Sequence, residues 1–97
     1  MKHKHNGTVL LKEERQDEYF LYTYELILRE GRRTADWRLP LYSIRVTTVD
    51  SFGARNEREA IDVFTDKTKA ENLFHKLVRN LATPIELGYV VEDEVRI

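Results

Sequence analysis

Residues 65–81 read TDKTKAENLFHKLVRNL, and their periodicity decides what kind of fold the chain can form. Ala70, Leu73, Phe74, Leu77, Val78 and Leu81 recur three and four residues apart, which gathers them into one apolar stripe of an α-helix. Lys69, Asn72, Lys76 and Arg79 fall on the opposite side. Thr65 or Asp66 can cap the start, and Thr68 with Glu71 offers a second capping pattern one turn later. A helix with a single apolar stripe needs an apolar surface to cover, and the residues before it supply one.

Upstream the period drops to two. In YFLYTYELIL, residues 19–28, the even positions Phe20, Tyr22, Tyr24, Leu26 and Leu28 line one face of a strand, and this face is expected to be core. The odd positions are mixed. Thr8 to Lys12 is a shorter β-prone run ahead of it, set off by the polar Arg15-Gln16-Asp17-Glu18. Gly31, within Glu30-Gly31-Arg32-Arg33, predicts a turn, and Pro40 limits where the next strand can begin. From Leu41 to Asp50 alternation resumes, with Tyr42, Ile44 and Val46 opposite Ser43, Arg45 and Thr47. After the turn signal Ser51-Phe52-Gly53, the run from Glu57 to Phe64 is expected to offer Ile61 and Val63 to the core. Parallel pairing would need long crossovers, so four closely connected strands predict an antiparallel meander.

Downstream, Thr83-Pro84-Ile85-Glu86 carries the marks of a helix start: a capping threonine, a proline suited to the first position and a glutamate that can reach back. Gly88 weakens the continuation by about 1 kcal/mol relative to alanine. The competing reading is a turn at 84–88 followed by a strand over 89–97. Glu92, Asp93 and Glu94 would sit at the negative end of the helix and call for a basic neighbour: Arg96, the Arg32-Arg33 hairpin or another chain. The expected fold is therefore α+β: a four-stranded antiparallel meander followed by an amphipathic helix and a short C-terminal helix. A single domain is expected over residues 8–97, behind a flexible N-terminus at 1–7.

The chain of 97 residues is 41% hydrophobic and 34% charged, which suits one soluble core with a surface richer in charge than the average of about 25%. Sixteen basic against seventeen acidic residues leave a net charge of -1, which argues against nucleic-acid binding through bulk charge. The lack of cysteine excludes disulfides, thiolate metal sites and a cysteine nucleophile, and fits a reducing cytoplasm. Neither a signal peptide nor a run of roughly 20 apolar residues is present, so a cytoplasmic protein without a membrane span is expected.

YELIL at Tyr24 to Leu28, FTDKTKAENL at Phe64 to Leu73 and TPIELGYVVED at Thr83 to Asp93 resemble a family of short uncharacterised proteins from Clostridia and related Firmicutes, known as a domain of unknown function. The resemblance covers most of the chain from Tyr22 onward, and the Thr-Pro-Ile-x-Leu-x-x-Val-Val-Glu-Asp string is its distinctive part. It implies no activity, cofactor or catalytic residue.

The residues themselves point away from chemistry. Ser43 and Ser51 lie in strand and turn sequence without a companion base motif, and the four glycines form no phosphate loop. Glu13-Glu14, Asp17-Glu18 and Glu92-Asp93-Glu94 read as solvated surface. His3 and His5 fall short of a metal-ligand set, and His75 borders the helix stripe. No catalytic, cofactor-binding or metal residue is expected, and the chain reads as a non-catalytic interaction or regulatory module. Its candidate surface is the odd face of the sheet, with Tyr19, Leu21, Ile27, Leu41 and Val49, together with Tyr89, Glu92 and Asp93 of the C-terminal segment. That segment would either cover the odd face or dock a second copy or another protein. The alternative is a single-stranded RNA binder in which Arg29, Arg32, Arg33 and Arg38 hold phosphates around Trp37, with Tyr22 or Tyr42 stacking bases.

Overall fold

Two aspartates set the first and last turns of the meander. In the computed structural model, which describes residues 7–34 and 37–95 and the side chains of these except 30–39 and 95, Asp17 Oδ1 accepts from the backbone N–H of Tyr19 at 2.9 Å and of Phe20 at 2.8 Å. Asp50 Oδ1 does the same for Phe52 and Ala54, both at 2.9 Å. Gly53 follows with φ of 89°, a conformation that a side chain would strain. Carboxylates that mimic a backbone turn in this way explain why both connections are short.

Four strands result: β1 (Thr8–Gln16), β2 (Phe20–Thr34), β3 (Trp37–Asp50) and β4 (Arg55–Phe64). They pair antiparallel in sequence order. Two helices follow, α1 (Lys67–Arg79) and α2 (Pro84–Val95), so the expected α+β meander with two helices is the observed fold. Both helices lie on the even face. Tyr22, Tyr24 and Leu26 of β2 and Tyr42, Ile44 and Val46 of β3 are buried against Ala70, Leu73, Phe74, Leu77 and Val78 of α1 and Leu87 of α2. Tyr24 ties the layers together, its hydroxyl donating to the Ala82 carbonyl at 2.9 Å between the helices.

Several boundaries differ from the sequence reading. The polar break expected at 15–18 begins later, since β1 runs through Gln16. Gly31 does not make the turn. β2 continues to Thr34, which pairs with Trp37, and the register shift between Glu30 and Arg33 places Gly31 in a β-bulge. Glycine serves a bulge as well as a turn, so its presence alone does not distinguish the two. Pro40 is tolerated inside β3 because it lies beyond Phe64, the last residue of β4 to pair with that strand. β2 and β3 therefore run past both neighbours as a two-stranded ribbon.

The core-facing residues of β4 are Ala60 and Phe64, rather than the expected Ile61 and Val63. A register shift between Tyr42 and Ile44 marks a bulge there, with Asp62 at φ 55°. The Ser43 hydroxyl accepts from the Asp62 N–H at 2.8 Å and lies 3.3 Å from its carboxylate, which holds the bulge in place and turns Ile61 outward.

Residues 84–95 are helical, which overturns the strand alternative. Thr83 and Glu86 form a reciprocal cap, with the Thr83 N–H donating to Glu86 Oε1 at 2.8 Å. At its acidic end Glu94 meets Lys76 of α1, whose Nζ lies 2.9 Å from Glu94 Oε2, a partner the sequence reading did not name; Arg96 and the side chains of Arg32 and Arg33 lie outside the described residues. Of the tail expected at 1–7, only Gly7 lies within the described residues; a side chain there would collide with Ile27.

Candidate interaction surfaces

The register assigns each open-face residue to a row. Gln16, Leu21, Val49 and Arg55 share one; Glu14, Thr23, Thr47 and Glu57 the next; Lys12, Glu25, Arg45 and Glu59 a third. Val9 and Ile27 then stand beside Ser43. The middle of this face is therefore polar. Arg45 is its hub, with Nε 2.8 Å from Glu25 and an Nη 3.8 Å from Glu59. The hydrogen bond to Glu25 raises the guanidinium's pKa further above an already high value. Beside it Arg55 donates to Glu57 at 2.8 Å, and this bond chiefly holds the Glu57 carboxyl below its usual range.

The surface expected from sequence is consequently divided. Leu21 and Val49 pair at the turn end, where Tyr19 is exposed in the adjacent turn. Ile27 is buried at the far end, and Leu41 is half-buried. Charged and hydroxyl side chains separate the two ends. Tyr89, Glu92 and Asp93 lie on α2, across the sheet from these residues, so α2 does not cover the odd face.

A different surface is assembled along β4. The helices pack on β2, β3 and β4, and α2 sits chiefly on β4, one of the two edge strands of the sheet. Leu87 is buried while Val90 and Val91 lean on the core, which leaves Ile85 67% and Tyr89 69% exposed on the outer flank. A cleft of about 310 Å³ lies between Phe20, Thr48, Asn56 and Pro84, and an open groove of about 480 Å³ continues along Ile85, Gly88 and Tyr89, with Arg58 lining both. Phe52, 93% exposed in the β3–β4 turn, and Ile61 of the bulge bracket the same edge. The sequence reading found Tyr89 but missed Ile85, Phe52 and Ile61. Ile85 was visible as the partner of Tyr89 one helical turn away, whereas the exposure of Ile61 depends on the bulge.

The RNA alternative rests on the ribbon. Arg29 faces Asp62 at 3.7 Å, so its charge is partly matched. The side chains of Arg32, Arg33, Trp37 and Arg38 lie outside the described residues, although the backbone places all four on the ribbon. Tyr22 and Tyr42 are buried beneath the helices and present no ring for stacking.

A family model for a family of unknown function, DUF6514, matches residues 3–96. The chain belongs to DUF6514. No curated protein and no solved structure matches it. In this DUF6514 member Ser43 is fully buried against Asp62, and among the described residues no cluster of three or more His, Asp or Glu could hold a metal. His3 and His5 lie outside those residues. No described helix is long and apolar enough to cross a membrane.

Proposed function

We propose that the protein is a small non-catalytic interaction or regulatory module of the bacterial cytoplasm, docking a protein partner through the β4–α2 flank. The observation that carries this reading is the exposure of Ile85 and Tyr89 on a helix packed over the edge strand β4. As an edge strand β4 turns one side of its backbone away from β3, where N–H and C=O groups can offer main-chain hydrogen bonds, and the groove beside the helix takes alternate side chains, which is how an added strand is recognised. Two exposed apolar side chains one turn apart on so small a domain mark an interface better than they serve solubility. The lack of cysteine suits a reducing compartment, and the Thr83–Asp93 string supports a bacterial setting.

A photo-reactive side chain at Tyr89 tests this in cells, with Arg79 on the exposed side of α1 as the control position. Adducts of defined mass at 89 and none at 79 are expected. Equal or absent labelling at both would sink the reading.

RNA binding is the second reading, favoured by one observation: β2 and β3 project beyond their neighbours as a ribbon carrying five arginine or tryptophan positions. Its signature is affinity that falls steeply with salt, which titration of a fluorescent oligouridylate at 50 and 200 mM salt measures.

A further inference from the structure

We propose that the partner on this flank is a second copy of the chain, its β4 paired antiparallel with the first across a two-fold axis at Glu57, so that two four-stranded sheets become one of eight strands. The inference rests on the reading of the β4–α2 flank as an interface. β4 has two halves. From Arg55 to Glu59 it pairs regularly with β3, while the bulge beyond Ala60 ends the regular edge. Only the first half can template another strand.

The pairing register follows from faces and charges. A two-fold axis perpendicular to the sheet keeps both pairs of helices on one face, so opposed residues must both be odd or both be even. With Glu57 at the axis, Arg55 of each copy stands opposite Glu59 of the other on the open face. Asn56 stands opposite Arg58 on the helix face. Moving the axis to Arg58 sets arginine against arginine and Glu57 against Glu59. Moving it to Glu59 sets that glutamate against itself and leaves Arg55 opposite Val63. An axis at Asn56 also opposes Arg55 to Glu57, but it pairs only 55–57 because β4 begins at Arg55; the Glu57 axis combines two opposite-charge cross-strand pairs, favourable where like charges are not, with the whole regular half of the strand. Its one unfavourable contact, Glu57 with its own copy, is moderated because each Glu57 already accepts from its Arg55 at 2.8 Å.

The helices fit the same arrangement. α2 rests on β4 and, less, on β3. With strands about 4.8 Å apart, two helices centred over β4 would lie about 5 Å apart and two centred between β3 and β4 roughly 10 Å, so it is the contact of α2 with β3 that brings the pair into the packing range of about 8–10 Å. Ile85 and Tyr89 of the two copies then face each other across the groove. The same register brings the Phe52 turn of each copy level with the outward Ile61 of the other. Four exposed apolar residues on this edge thereby acquire partners. The other edge strand, β1, is bulged between Val9 and Leu11 and lies outside the principal helix packing.

Because the chain lacks cysteine, single cysteines read the register directly. Glu57→Cys places two sulfurs on opposed residues, with Cα atoms about 4.5–5.5 Å apart, inside the range of a disulfide. Mild oxidation with diamide should convert it almost wholly to a covalent dimer. Arg55→Cys and Glu59→Cys should each stay uncrosslinked alone, yet crosslink when mixed. Light scattering on the unmodified chain should give twice the 11.5 kDa of the monomer at high concentration. Ile85→Asp, at a site that is two-thirds exposed and safe for the fold, should raise the dimer dissociation constant at least tenfold. A wild-type chain monomeric at several hundred micromolar overturns self-pairing, while photo-labelling at Tyr89 judges the interface reading separately. A dimer whose Glu57→Cys form does not crosslink overturns the register, and one indifferent to Ile85→Asp as well removes β4 and α2 from the contact.

Discussion

Tyr24 shows how one side chain joins the layers. It is fully buried, and its hydroxyl meets the carbonyl of Ala82, which has left α1 and not yet entered α2. Burial, above all, pushes its phenol well above the ordinary tyrosine range. Tyr24→Phe keeps the ring but leaves that carbonyl without its donor, so it should cost about 1–2 kcal/mol in urea unfolding, and an unchanged midpoint would show that water replaces the hydroxyl. Leu81, nearby, adopts φ 51° at the end of α1. The N–H of Ala82 reaches Leu77 O at 3.0 Å and that of Leu81 reaches Val78 O at 3.2 Å, the paired bonds of a Schellman ending. Glycine usually takes this position. Leucine takes it here because its side chain packs on the core, so the sequence carried the apolar stripe of α1 but not the geometry of its end.

At the scale of elements, α2 combines a strong start with a weak middle. Thr83 and Glu86 satisfy each other at the first turn, and Gly88 interrupts the helix where an added Cβ would meet nothing within 4 Å. Gly88→Ala should therefore stabilise the monomer by about 0.5–1 kcal/mol, measured by thermal unfolding at low protein concentration. A loss instead would mean that Gly88 is held by contacts absent from the isolated chain. The helix was legible because capping is local: Thr83, Pro84 and Glu86 are adjacent in sequence. Its placement on β4 was not, because side chains on both faces of a small helix are apolar and only packing chooses between them. The strands show the same division. Alternation found the core residues of β2 and β3, while the bulges at Gly31 and Asp62 remained hidden, since an extra residue in a strand leaves no compositional trace distinct from a turn. The candidate surface suffered most. Tyr19, Leu21, Ile27, Leu41 and Val49 share an odd-numbered pattern, but the register places Thr23, Glu25, Arg45 and Thr47 between its two ends.

For the whole molecule, titrating groups at the two ends of the pH scale set limits on the fold. Asp17 accepts from Tyr22 at 2.7 Å and from two backbone N–H groups, and these bonds, the one from Tyr22 foremost, hold its carboxyl below the usual range. Glu57 is held down chiefly by Arg55. A carboxyl whose folded pKa is depressed contributes stability that is fully present above its unfolded pKa, about 4, and is lost as pH falls through the folded value. At the other end, burial and the hydrogen bond to Asp17 push the Tyr22 phenol up to about 12. Between about 10, where an unfolded tyrosine ionises, and that value the folded chain keeps a proton that the unfolded chain gives up, so stability falls as pH rises. The urea midpoint should thus form a plateau from about pH 5 to 9 and decline on both sides. Asp17→Asn should flatten the acid limb, because its carboxyl no longer titrates, and Tyr22→Phe should reduce the alkaline one. Since Asp17 and Tyr22 share one hydrogen bond, Tyr22→Phe should also soften the acid limb, whereas Glu57→Gln should leave the alkaline limb untouched. An acid limb that survives Asp17→Asn and Glu57→Gln together would place the sensitivity elsewhere in the molecule.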